Sequence, residues 1–292
     1  MAYSGIDDLM TEIAAGKFQR LTANRIVNTG ATSAAARWHE AFAVANGTGG
    51  IGVLTGTAGL GAAMDAASVG ALPISPVNVS TDTRHLLTMT AWTGTATMVP
   101  GMVKLVDFLY KYTSCVVTTG AGTTLNNGAA KPTRLATGNG VKAMCIVAGT
   151  AIGAALPIIT VSYTNQAGTA GRTGYFAASL ASQPIGSLLT GAQVNILSGP
   201  EMIMAAGDTG IQSIQSYTTA AGTTGAVTFI LYRDIAEVPI VAVNTPGERD
   251  FLSQMPSLPK IDDNACLAYL VMPGGSLVVN SPLTTTLQFG WG

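Results

Sequence analysis

The sequence holds few residues whose types and spacing could support chemistry. The sharpest string is Gly47-Thr48-Gly49-Gly50-Ile51-Gly52, a literal G-x-G-x-x-G. A dinucleotide site needs that string after a strand and at the opening of a helix, so that the helix N-terminus meets the pyrophosphate. Here it follows a stretch with helical spacing and runs into more glycine at Gly56, Gly59 and Gly61, with no acidic residue placed for a ribose. Among 35 glycines a chance match is expected. His39 and His85 are the only histidines, and no G-x-S-x-G elbow accompanies them. His39-Glu40 lacks the second helical histidine of a zinc site. Asp262-Asp263-Asn264 could offer oxygens to a divalent cation, but it lacks the spaced acceptors of a calcium loop. An Asx-type turn before a strand at Leu267 accounts for it. No local pattern pairs two of the 15 acidic residues as a glycosidase requires. Cys115, Cys145 and Cys266 are odd in number and far apart, and read as small buried hydrophobes in a reducing compartment. The residues therefore predict no catalytic, cofactor-binding or metal-binding site, and no enzyme.

The elements that would position any site are mostly strands. Ile6, Leu9, Met10 and Ile13 fall on one face of an N-terminal helix, with Ser4 and Asp7 as its cap and Asp7 and Asp8 in its first turn. A second short helix is expected over 33–45, with Trp38 and Phe42 four apart and Asn46-Gly47 as its stop. From Gly47 to about Ser80 the chain is rich in Gly, Ala and Thr and nearly uncharged, which suits an extended segment lying on a neighbouring surface. Beyond it, Leu87, Met89 and Ala91 alternate with threonine, as do Ile159, Val161 and Tyr163 with Thr160 and Ser162. Val227 to Tyr232 is apolar on both faces, as in a central strand, and Leu283, Leu287, Phe289 and Trp291 mark a final strand. Turn clusters separate these runs at 119–122, 126–128 and 273–275. One helix is expected to interrupt them, opened by Pro100, with Met102, Leu105, Val106 and Leu109 on its apolar face. The fold expected is mainly β, a β-sandwich or Greek-key layer with a few short helices (α+β overall). Residues 1–80 are expected to form a helical and extended arm, and residues 81–292 the β-rich domain.

Composition narrows the function. Charged residues make up 10% of the 292, against about 25% in ordinary soluble proteins. Three classes fit: a membrane protein, a low-complexity polymer, or a subunit that buries its surface against neighbours. The one candidate span, Met144 to Val161, is interrupted by Pro157 and diluted by Gly149, Thr150 and Gly153, and reads as strand, glycine turn, strand. The N-terminus lacks the basic and apolar regions of a secretory signal. Net charge is −1 with no Lys/Arg cluster, so nothing neutralises nucleic-acid phosphates. No small-molecule substrate is indicated. The subunit reading remains, with self-association, a trimer by expectation, through charge-poor surface.

The run from Ile158 to Gly168, closed by Gly171-Arg172-Thr173, resembles a segment of tailed-bacteriophage virion structural proteins. So, in order, do the stretches 105–110, 206–211, 231–233, 248–252 and 256–260, which together span Leu86 to Val279. The resemblance implies a virion component assembled in the host cytoplasm. The charged loop, long spine helix and charged arm of a usual phage major capsid protein are not seen. The resemblance therefore points first to a capsid decoration or cement protein contacting the major capsid protein and its own copies. A tail or baseplate component, a major capsid protein and, more remotely, a hydrolase are the alternatives.

Overall fold

A computed structural model describes residues 3, 5–27, 31–32, 35–41, 54–79, 81–117, 123–125, 130–153, 158–177, 183–189, 199–219, 224–254 and 257–292. The chain opens with helix α1 (Ile6–Ala14) and then runs through strands β1 (Phe18–Val27), β2 (His39–Glu40), β3 (Gly61–Ala63), β4 (Arg84–Trp92), β5 (Gly101–Val116), β6 (Thr123–Thr124), β7 (Lys142–Val147) and β8 (Ile158–Asn165). It continues with β9 (Arg172–Ala177), β10 (Leu188–Leu189), β11 (Ile211–Thr219), β12 (Ala226–Ile240) and β13 (Gly247–Asp250). The short helix α2 (Phe251–Gln254), β14 (Lys260–Ile261), β15 (Leu267–Pro273) and β16 (Ser281–Trp291) complete it. The mainly β expectation holds, and the layers are three.

The middle layer is a ring of strands in the order β10-β7-β12-β5-β15-β2, all antiparallel. The ring closes where His39 bridges Ser187. Glu40 N–H donates to the Gly186 carbonyl and Leu188 N–H to the Trp38 carbonyl, both at 2.9 Å. Closure leaves no bare edge in the ring, and each strand turns alternate residues inward and outward. Trp38, Val106, Phe108, Met144, Ile146, Ile230, Tyr232, Ala268 and Leu270 fill the interior. Outward residues of the same strands feed two further cores. Cys145, Val147, Phe229 and Leu231 pack on the sheet β6-β11-β8-β9 with Val161, Tyr163, Phe176 and Tyr217. Val103, Leu105, Leu267 and Tyr269 pack on the sheet β1-β16-β4-β13 with Leu86, Met89, Leu287 and Phe289. The ring is thus sandwiched between two sheets.

One expected helix is a strand, and the described part of another is not helical. The run after Pro100 is β5, paired with β12 from Gly101 to Val116 and with β15 from Gly101 to Asp107. Its residues are buried on both faces, and such a continuous apolar run satisfies helical spacing by coincidence. Gly101 is needed there, because a Cβ would sit 2.3 Å from the Met98 carbonyl oxygen. In the stretch expected as a helix over 33–45, Trp38, His39, Glu40 and Ala41 are all buried, which one helical stripe cannot satisfy. His39 and Glu40 serve the ring seam from both sides instead. The expected helix at the N-terminus is α1, with Gly5 at its cap position and Asp7 and Asp8 in its first turn, while Ser4 lies outside the described residues. Residues 144–161 hold the end of β7, a left-handed Gly149 at φ 83° and the start of β8, as strand, turn and strand. Phe42 and the turn clusters at 119–122 and 126–128 lie outside the described residues.

The described strands within residues 1–80 pair with strands of the β-rich remainder. β1 pairs with β16 through ten consecutive residues, Phe18 opposite Gly290 to Val27 opposite Ser281. β3 pairs with β5, and the seam strand β2 closes the ring. Leu9 of α1 is buried, and Lys17 ties the helix end to the body through Glu12 and Asp82, both at 2.9 Å. Deleting residues 1–80 is therefore expected to abolish cooperative unfolding and near-ultraviolet circular dichroism. A soluble 81–292 fragment that keeps a native near-ultraviolet spectrum would show that the boundary at 80 is real.

Candidate functional site

The residues singled out for chemistry sit apart and carry structural duties. The glycine string 47–52 lies outside the described residues. His39 is fully buried in the ring seam, and burial together with the charge of Arg37 pushes its pKa down to about 3. His85 is on β4 opposite Gly290, its ring 5.6 Å from that of Tyr3 and its pKa lowered mainly by burial. Asp262 pairs with Arg233 at 3.0 Å and Lys260 at 3.3 Å, and Asp263 accepts the Val79 N–H at 3.0 Å. Asn264 takes a left-handed φ of 58°, so this triplet is the expected turn before β15. The three cysteines are buried and unbridged, and burial lifts the thiols of Cys115 and Cys266 to about 12 and that of Cys145 well above its ordinary value. Among the described residues no three His, Cys, Asp or Glu side chains converge as metal ligands, and no helix is long and apolar enough to cross a membrane.

The most connected polar cluster joins three stretches far apart in sequence. Asp208 accepts hydrogen bonds from Tyr163 Oη, from Asn165 Nδ2 at 2.7 Å and from Arg172 Nε at 2.9 Å. Tyr163 Oη in turn accepts the Ala205 N–H at 2.9 Å, and Gln166 Oε1 accepts those of Thr209 and Gly210. Desolvation raises the Asp208 pKa, but the three donors and the Arg172 charge outweigh it and hold the carboxyl at about 2. A carboxylate so committed is a poor base. It locks the β8–β9 hairpin to the 205–210 loop. A second buried acid, Asp107, receives Arg134 through Nε at 3.3 Å and Nη2 at 2.8 Å, and the Cys266 N–H at 2.8 Å. Burial lifts its carboxyl against the pull of Arg134. Sequence reading missed both clusters because their partners stand 27 to 159 residues apart.

What the described surface does offer is area. Ile6 and Met10 of α1 are 67% and 60% exposed, and Val69 and Val241 are 74% and 63% exposed. The outer face of the β1-β16-β4-β13 sheet carries hydroxyls in rows: Thr22 beside Thr286 beside Thr90, and Asn24 beside Thr284. Thr22 and Thr286 share a hydrogen bond at 3.2 Å, and Thr284 donates to Asn24 at 2.9 Å. A cleft of about 240 Å³ lies between Lys104, Glu237, Arg249 and Phe251, and another of about 280 Å³ runs beside β1 along Thr22, Asn24, Gly70 and Pro73.

No family matches the sequence, and no curated relative aligns with it. Among solved structures, that of the Gt strain of infectious bursal disease virus is similar at a TM-score of 0.21 and 8% identity, over 94% of this chain and 80% of that one. A subviral particle of VP2 from infectious bursal disease virus gives 0.20 and 8% over the same shares. The Gx strain gives 0.18 and 11%, over 93% and 80%. Superpositions at this level do not establish a common fold.

The seam histidine generates a pH dependence with a definite sign. A histidine whose folded pKa is depressed binds fewer protons folded than unfolded. Its contribution is therefore complete above about 6.5, the unfolded value, and is lost as pH falls toward 3. His85 acts in the same direction, whereas Asp208 titrates below this window. Urea midpoints are expected to drop between pH 7.5 and pH 4.5, and to drop less in His39→Gln than in the wild type. Equal drops would remove His39 as a determinant.

Proposed function

We propose that this chain is a non-enzymatic structural subunit of a tailed-bacteriophage virion, an accessory head protein of the decoration or cement kind. It stabilises the shell by contacts with copies of itself and with the major capsid protein. The reading is supported by the sequence resemblance over Leu86 to Val279 and by the low charge. The observation that carries it is the division of labour among side chains. Asp107, Asp208, Asp262 and Asp263 are engaged inside the fold, while Ile6, Met10, Val69 and Val241 are turned largely to the outside.

The energetics suit such a role. Burying apolar area contributes roughly 25 cal/mol per Å², from which ordering and association costs are subtracted. A rigid three-layer β body with threonine and alanine on its surface loses little side-chain entropy when a neighbour covers it. Many weak identical contacts around a closed shell then add through avidity. Residues 1–80 contribute to this as part of the body, with α1 presenting Ile6 and Met10 from its surface.

Light scattering of the purified chain across micromolar concentrations is expected to show a homo-oligomer, and the protein is expected to bind particles lacking it. A well-behaved monomer that leaves particles undecorated would refute the assembly role. Substrate turnover by the purified chain would refute the non-enzymatic one.

A further inference from the structure

β1 is the outermost strand of its sheet and pairs on one side only, with β16. The pairing parity is set by Trp291 N–H donating to the Lys17 carbonyl in a register that continues unbroken through Val27. Odd-numbered residues of β1 therefore exchange hydrogen bonds with β16, while Phe18, Arg20, Thr22, Asn24 and Ile26 point N–H and C=O away from the sheet. No described residue takes up those five pairs of backbone groups. The neighbouring segment 70–75 is held by side chains instead, through Gln19 to Pro73 and Ser75 and through Arg25 to Gly70. It leaves open the cleft lined by Thr22, Asn24 and Pro73.

Other sheet margins are closed, engaged or short, β6 being only the two residues Thr123 and Thr124. The ring is closed at its seam, and Tyr175 of β9 exchanges both backbone hydrogen bonds with Ile203. β13 lies so close to β12 that a Cβ on Gly247 would fall 1.8 Å from the Pro239 carbonyl oxygen. β1 is ten residues of regular strand with no proline, lysine or bulge, and the charges it carries are Arg20, outward, and Arg25, inward and bonded to the Gly70 carbonyl.

We propose that β1 pairs antiparallel with β1 of a second copy about a two-fold axis at Thr22, joining two outer sheets into one. The strand is self-complementary in that register, which uses all five bare residues. Phe18 faces Ile26 of the second copy, an aromatic against a β-branched side chain, and Thr22 faces its own equivalent; both are favourable cross-strand pairs. Arg20 faces Asn24, so the two arginines stand roughly 14 Å apart, beyond the screening length of about 8 Å at physiological salt. On the inner face Leu21 meets Ala23, which makes the two apolar layers continuous. Each copy donates five N–H groups and accepts five. The contact makes a dimer, or links neighbouring trimers where a three-fold also forms. It rests on the assembly reading only in requiring that copies meet.

Disulfide trapping of the full chain tests it. Across the axis the two Thr22 Cα atoms would lie about 5.5 Å apart, within the range of about 4.4–6.8 Å for a disulfide. Thr22→Cys is expected to cross-link to dimer on copper–phenanthroline oxidation, and Arg20→Cys to do so at least about tenfold more slowly. The native cysteines are buried and do not compete. Thr22→Pro removes an outward N–H while leaving the bonds to β16 in place, and proline is tolerated on that side of an edge strand. It is expected to weaken association about tenfold or more with a native circular dichroism spectrum. An oligomeric wild type in which Thr22→Cys cross-links no faster than Arg20→Cys overturns the edge pairing and leaves the assembly role intact. So does an oligomeric wild type with an equally associated, folded Thr22→Pro. A monomer at every concentration overturns both, and if Thr22→Pro does not fold, the cysteine comparison alone decides.

Discussion

The architecture depends on one constraint: over their central stretches the strands of the ring are covered on both faces, so the residues there must suit an interior. β5 from Leu105 to Tyr110 and β12 from Val227 to Tyr232 meet this most fully, with alternate residues entering the inner core and one of the two outer cores. Backbone groups in such a layer have no water to turn to, and the ring closes on itself through His39 and Ser187. Two ion pairs lie within or beside it. Asp107 meets Arg134, and Lys142 meets Asp234 at 2.6 Å. A lone charge buried as fully as Asp107 would cost several kcal/mol.

This constraint changes how the low charge is understood. Three cores in a chain of 292 residues already account for much of the apolar composition, before any neighbour is invoked. What they leave unexplained is the surface. The outer face of the β1 sheet carries rows of threonine hydroxyls flanked by Arg20 and Glu248, and α1 leaves Ile6 and Met10 outward while burying Leu9. The outward Ile6 and Met10 and the one-sided pairing of β1 are the surface features on which the proposed assembly role rests.

Strands with one solvated face were legible in the sequence, because alternation survives there: β4, β8 and β16 are where Leu87, Ile159 and Leu287 placed them. β12 was legible as a run apolar on both faces. β5 has the same character, but Pro100 ahead of it and a coincidental helical spacing concealed it. β1 was missed because Gln19 and Arg25 occupy inward positions, where they bind the carbonyls of Pro73 and Gly70, so polar residues stand where the period of two demands apolar ones. β2 is two residues long, and only the tertiary seam defines it. The polar clusters around Asp208 and Asp107 are contacts between distant stretches, which no local spacing reports.

Residue-resolved amide hydrogen exchange on β1, in dilute and in concentrated protein, reads the account most directly. The amides of Leu21, Ala23 and Arg25 face β16 and are expected to be protected at both concentrations. Those of Arg20, Thr22 and Asn24 are expected to exchange rapidly in the dilute monomer and to become protected in the assembled state, an alternation along one strand. Equal and rapid exchange at these three residues in the assembled protein would contradict an assembly surface built on this edge.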